Sequence, residues 1–352
     1  MTYAFWNNKG GVGKSTITFH TATRFAELNP NMNVLVIDMC PQSNVSMMLL
    51  GGGQQGENTV INEWQNQQPR TVVGYLTTVI SNGPGAALPN PNAFAMQVSQ
   101  TNARIPNNLH LLCGDGNLES IAPAITSQAN AQPLGPTHDP WVWIYNIFRS
   151  YISEYKRING DSSTVVFIDT NPAFGVYTQL AITASDRLIC PVNADDSSRA
   201  ATTAMILLLH GSVPPHPVFG QYTFAAMANQ RGLNIPKIHL MIGNRLTQYA
   251  GAARAFRALS DSTSRSIYNQ YVHFPQYFTN RINPPQNLAD FRNEYSVALR
   301  DFNTAGVVSA HRGHPLSILA GGNYQVAGRR IQVNSPRVTE CIAAIDEVID
   351  KF

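Results

Sequence analysis

Asn8-Lys9-Gly10-Gly11-Val12-Gly13-Lys14-Ser15-Thr16 is the stretch that decides how this chain is read. An apolar run, Tyr3-Ala4-Phe5-Trp6, precedes it, and a helical pattern over residues 17–26 follows. Strand, glycine-rich loop and helix in that order form the setting of a phosphate-binding loop. Glycines let successive backbone N–H groups turn inward around an anion. The helix N-terminus adds its positive end. Lys14 is spaced to reach the outer phosphates and the Ser15 hydroxyl to reach Mg²⁺. The ordinary pattern has glycine five residues before Gly13; here Asn8 stands there, and a second lysine, Lys9, follows it.

The run from Lys9 to Thr16 resembles the deviant Walker A loop of the ParA/MinD family of P-loop ATPases. The resemblance implies an α/β fold, a doubly wound, mainly parallel sheet flanked by helices. It covers residues 1–50, 103–250 and 300–352 of a single domain, with added segments at about 51–102 and 260–300. It implies ATP and Mg²⁺ as ligands and ATP hydrolysis as the activity. Gly10, Gly11, Val12, Gly13, Lys14, Ser15 and Thr16 are then the nucleotide-binding residues. In that family the early lysine, here Lys9, reaches across a dimer interface to the nucleotide held by the other subunit.

Two further stretches are apolar runs that end in an acid. Asn33-Val34-Leu35-Val36-Ile37-Asp38 and Thr164-Val165-Val166-Phe167-Ile168-Asp169 read as buried parallel strands with the aspartate at the ligand-binding end. The segment after Asp38 resembles the family's switch I, Asp-x-Asp-Pro-Gln. Asp38 matches the first aspartate, and Cys40 stands where the second, water-orienting one belongs. A thiol is a poor substitute for a carboxylate in positioning water. Either hydrolysis is slow or Asp38 takes over, and Cys40 also fits a packing role beneath the switch. The segment after Asp169 resembles the family's Walker B and switch II, with Asn171 for the first proline. With Ser15, Asp38 and Asp169 become the Mg²⁺ residues, the metal keeping several of its waters. Lys9, Lys14 and Asp38 are the catalytic set the resemblance implies.

Composition narrows the alternatives. The chain has 352 residues, 43% hydrophobic, with no apolar run long enough to span a bilayer. The sequence enters its first strand at once, so no signal peptide is expected. Cys40, Cys113, Cys190 and Cys341 are widely spaced without a C-x-x-C, which argues against disulfides, zinc or an iron–sulfur cluster. The cytosol is the expected compartment, with the thiols acting as small apolar side chains. Residues 51–100 read as loop-rich, with Gly51-Gly52-Gly53-Gln54-Gln55-Gly56 a loop and a short helix over 72–80. Residues 141–158 have one long helical period.

Charge is uneven. Residues 245–340 hold eleven arginines, no lysine and five acids, a net +6 against −3 for the remainder. This fits a polyanion partner or a solvated arginine face. Asn244 ends an apolar run where the resemblance implies a nucleotide-binding asparagine that pairs with adenine; a turn asparagine is the lesser alternative. Arg254 and Arg257 lie three apart on one helical face and are candidate DNA contacts. The final helical pattern, residues 338–349, is acidic, whereas amphipathic membrane anchors are basic, so no membrane partner is expected.

The resemblance thus implies a homodimer formed with ATP. It binds non-specific DNA, associates with the nucleoid, and is released when a centromere- or cargo-binding activator stimulates hydrolysis. No helix-turn-helix precedes the phosphate loop, so operator binding is not expected. Three other readings stand beside it: an ATP-locked switch with negligible turnover, a MinD-like membrane-cycling regulator, and a P-loop kinase or reductase with a small acceptor.

Overall fold

In the computed structural model, β1 (Thr2–Phe5), β2 (Asn33–Met39), β3 (Met96–Gln97), β4 (Leu109–Leu112), β5 (Thr164–Thr170), β6 (Arg187–Asn193), β7 (Lys237–Leu246) and β8 (Ser296–Arg300) form one sheet. The structure describes residues 1–133, 135, 138–193, 195–246 and 250–352, with side chains described except at 196, 245–246, 250–260 and 300. Strand order is β3-β4-β2-β5-β1-β6-β7-β8, and every pairing except β3–β4 is parallel. The apolar runs of β2 and β5 are buried on both faces, as a parallel sheet between helical layers requires. From β1 the chain winds outward to β2 on one side and, later, to β6 on the other. The carboxyl ends of β5, β1 and β6 therefore border the crevice at which such sheets bind ligands.

One face carries the helices Lys14–Leu28, Asn303–Arg312 and Ser335–Ile349. The other carries Ile147–Asn159, Val176–Ala184, Asp196–His210 and Ala250–His273. Phe167 of β5 centres the first core. Its ring lies 5.9 Å from Tyr3, 6.1 Å from Phe5, 5.7 Å from Phe25 and 5.6 Å from Phe352. Truncating such a ring costs about 3–5 kcal/mol.

Several expectations are corrected. The triglycine stretch is not simply loop. Gly52 (φ 69°) precedes a helix, Gly53–Gln65, and Gly56 lies where a Cβ would meet the Met47 carbonyl at 2.1 Å. Gly51 and Gly52 still turn the chain with positive φ, and Gly56 permits the close helix-to-helix approach. The long period over 141–158 breaks at Asn146 into Pro140–Tyr145 and Ile147–Asn159. Periodicity continues across that joint because both pieces pack on the same core. Residues 296–300 form β8, a sheet strand that their short alternation hid in the sequence. The helix expected over 72–80 is present as Val72–Asn82, capped by the Thr71 hydroxyl. Beyond the sheet, β9 (Gly322–Val326) and β10 (Arg329–Val333) form an antiparallel hairpin that the sequence did not announce.

Candidate nucleotide-binding site

The loop after β1 is pinned at its entry by Asn7. Its amide donates to the Pro191 carbonyl of β6 at 2.8 Å and its Oδ1 accepts from the Lys9 N–H at 3.0 Å. Gly11 (φ 71°) and Gly13 (φ 85°) adopt left-handed backbone. At Gly13 a Cβ would also meet Asn244 Nδ2 at 2.3 Å. The helix Lys14–Leu28 starts immediately after, its N-terminus facing the crevice. Lys14 is buried, and its Nζ curls back over the loop to the carbonyls of Lys9 (3.1 Å) and Asn7 (3.4 Å). Burial lowers its pKa, and the charge of Asp169 opposes that shift. An ammonium parked on backbone carbonyls above a glycine loop has its charge uncompensated by a bonded carboxylate, and suits a phosphate.

Beside the loop, β2 and β5 hold Asp38 and Asp169 in direct register, and Phe5 of β1 pairs with Asp169. Ser15 Oγ donates to Asp169 Oδ2 at 2.6 Å and Thr18 Oγ1 to Asp169 Oδ1 at 3.3 Å. Asp38 Oδ2 accepts from the Ser46 N–H (3.0 Å) and hydroxyl (2.7 Å), and its Oδ1 from the Cys40 N–H (3.1 Å). Burial raises the pKa of both carboxyls, and the charge of Asp38 raises Asp169 further. Two buried carboxyls that resist ionising together call for a cation. Ser15, Asp169 and, through water, Asp38 supply the hard oxygen donors Mg²⁺ prefers, so the residues present fit that ion. Among the described residues no cluster of three or more His, Cys, Asp and Glu offers a cage for another metal.

Cys40 is buried beside these carboxyls. Burial, then the charges of Asp38 and Asp169, push its thiol up to about 12. It is neutral at any physiological pH and cannot serve as a base. Cys113, Cys190 and Cys341 are likewise buried.

Lys9 turns away from its own loop. Its Nζ is bonded to the carboxylate of Asp195, whose Oδ1 also caps the helix Asp196–His210 by accepting from the Ser198 N–H at 2.9 Å. Burial alone would raise the Asp195 carboxyl, but hydrogen bonds from Lys9, Ser197 and Ser198 together with the Lys9 charge bring it down to about 2. Asn244 is buried and its amide donates to the Val12 carbonyl at 2.9 Å, so it braces the loop. Arg254 and Arg257 fall on the helix Ala250–His273, but their side chains lie outside the described residues. The sequence missed the parts played by Asn7, Thr18, Ser46 and Asp195. The spacing Asp195-x-x-Ser198, which suits an N-cap, is a local signal that could have found Asp195.

A glycine loop feeding a helix, a lysine over it and two strand-ending aspartates in register define a P-loop nucleotide-binding ATPase domain. A sequence profile described as AAA domain matches residues 1–210. The chain belongs to the ParA/MinD family of P-loop ATPases. Its fold resembles that of apo McdA from Cyanothece at a TM-score of 0.57 and 15% identity, over 99% of this chain and 98% of that one. It also resembles a putative plasmid partition protein from Borrelia burgdorferi B31 bound to AMPPNP (TM-score 0.51, 14% identity, 99% and 98% covered). A third likeness is pnob8 ParA (TM-score 0.52, 16% identity, 86% and 88% covered). No curated protein matches the sequence.

Proposed function

We propose that this chain is a partition or positioning ATPase. It dimerises around Mg·ATP, binds DNA without sequence preference in that state, and is released when a partner protein stimulates hydrolysis. The observation that carries the reading is the division of labour between two lysines five residues apart. Lys14 covers its own loop, whereas Lys9 is directed outward to Asp195 at the rim of the crevice. A lysine so placed contributes little to its own phosphates and is positioned for those of a second subunit. Lys14, Ser15, Thr16 and the N–H groups of residues 10–15 bind the nucleotide, and Asn244 lies at the loop to meet the base. Asp38 and Asp169 orient the metal's waters. Phosphoryl transfer to water then needs chiefly positioning and charge neutralisation. The ATP state would be nucleoid-associated.

Light-scattering mass with ADP, with ATP and with ATP after Lys9→Ala, followed by DNA retention of each sample, tests the reading. An ATP-dependent dimer that binds DNA and that Lys9→Ala weakens supports it. A mass independent of nucleotide together with no DNA retention removes it, leaving an ATP-binding α/β domain. A second reading, an ATP-locked switch with negligible turnover, is favoured by the neutral Cys40 thiol in switch I. Tight ATP binding with background phosphate release would select it.

A further inference from the structure

From Phe302 to Thr339 the chain contains no acidic residue and four arginines. Two of the four, Arg329 and Arg330, lie in the hairpin β9–β10, which stands outside the main sheet. Its two-residue loop is Ala327-Gly328, both with positive φ (48° and 76°), which sets the register Val326 opposite Arg329. Tyr324, Val326 and Ile331 face inward and pack against the core. The other face, with Asn323, Gln325, Arg330 and Gln332, is exposed. That row is amide, amide, guanidinium, amide.

The surroundings are basic as well. The Arg312 guanidinium stacks over the Tyr324 ring at 5.6 Å. The Asn102 amide donates to the Gly313 carbonyl at 2.9 Å and thereby fixes the turn that carries exposed Arg104. Burial, then the charges of Arg104 and Arg312, lower the pKa of His314. Arg337 is paired with Glu340, but among the described residues Arg104, Arg312, Arg329 and Arg330 have no carboxylate within ion-pair distance. Four uncompensated guanidinium groups on and around an exposed ribbon call for an anionic partner.

We propose that the hairpin β9–β10 is a duplex-DNA-binding ribbon: Arg104, Arg312, Arg329 and Arg330 contact backbone phosphates while the outward amides of Asn323, Gln325 and Gln332 line the major groove. The inference rests on the DNA-binding reading above and assigns it a surface. A two-stranded ribbon fits a groove about 12 Å wide, and guanidinium groups and amides hydrogen-bond phosphate oxygens, contacts that carry no sequence preference. The exposed row has no apolar side chain to insert into a bilayer, which favours nucleic acid over anionic lipid.

The test uses the full chain with a non-hydrolysable ATP analogue and a fluorescent duplex of about 24 base pairs, titrated between about 50 and 200 mM salt. Arg329→Ala/Arg330→Ala is expected to weaken binding at least ~10-fold and to lower the slope of log affinity against log salt by about 2. Gln325→Lys is expected to strengthen binding. The ATP-dependent mass and the melting temperature should stay unchanged, because these side chains are exposed. If wild type binds DNA and the double variant binds with equal affinity and slope, the hairpin is overturned while the proposed function stands. If wild type binds no duplex in any nucleotide state, the DNA reading fails and the hairpin with it. Retention of wild type by phosphatidylserine vesicles but not by duplex, abolished in the double variant, would also overturn the proposal.

Discussion

The Lys9 ammonium and the Asp195 carboxylate are bonded within one chain, linking the nucleotide loop to the helix that follows β6. Both side chains keep part of their surface in solvent, 23% for Lys9 and 42% for Asp195, so the pair contributes about 0.5–1 kcal/mol. That is small enough to be exchanged for a phosphate.

Asp195→Asn keeps the helix cap, since asparagine caps as well as aspartate, but removes the charge that holds Lys9. The proposed ATP-dependent dimer is expected to tighten about 2- to 5-fold, with the melting temperature nearly unchanged. Sedimentation velocity across a protein concentration series measures this. A looser dimer would mean that Lys9 and Asp195 stay bonded when the subunits close.

Cys40→Asp places a carboxylate where the thiol is neutral. Steady-state phosphate release is expected to rise ~10-fold or more, since a positioned general base contributes at least that. Cys40→Ser, which lacks a base, should leave the rate near wild type. If Cys40→Asp changes nothing and Asp38→Asn abolishes turnover, Asp38 positions the water.

Ser15→Ala removes the hydroxyl that donates to Asp169 at 2.6 Å. ATP affinity by calorimetry should fall ~10-fold or more in Mg²⁺ and change little in EDTA, because the lost group belongs to the metal rather than to the phosphates. Equal losses in both buffers would place the Ser15 hydroxyl on the nucleotide itself.

His20 and His239 are buried and His210 is half-buried, and burial depresses their pKa values to about 3 for His20 and His239 and about 4 for His210. Among the described residues both ring nitrogens of His20 lack a hydrogen-bond partner, its ring lying against Phe19 and Phe302. Each histidine is neutral in the fold and protonates near pH 6.5 when unfolded. Their contribution is therefore complete above about pH 6.5 and is lost as pH falls toward 4. Unfolding free energy should drop by up to about 1.4 kcal/mol per pH unit per histidine across that window. In denaturant melts between pH 7 and pH 4.5, His20→Leu should flatten the fall by one such increment; an unchanged slope would contradict the assignment.

How much was legible follows from how local each signal is. Gly11 and Gly13, the turn they make, Lys14 and Ser15 sit within a few residues of one another, so the loop reads directly from the chain. The apolar runs ending in Asp38 and Asp169 were equally plain, because a strand buried on both faces has no polar alternation to blur it. The strand Ser296–Arg300 was too short and mixed to stand out from its surroundings. The hairpin's signal was Ala327-Gly328 between Tyr-Gln-Val and Arg-Arg-Ile-Gln-Val, weak because alanine takes the left-handed position.

The sequence by itself determined the phosphate loop, its departure at Asn8 and Lys9, the two aspartate-ending strands, and through them the family and its parallel sheet. Each is written in a contiguous segment whose backbone or burial demands only certain residues. Tertiary structure decided which distant groups meet. Lys9 finds Asp195 186 residues away, Asn244 braces Val12 across 232, and Ser15 reaches Asp169 across 154. Such contacts depend on the strand order that brings β5, β6 and β7 around β1, and no local pattern encodes a partner that only the sheet's register brings within reach.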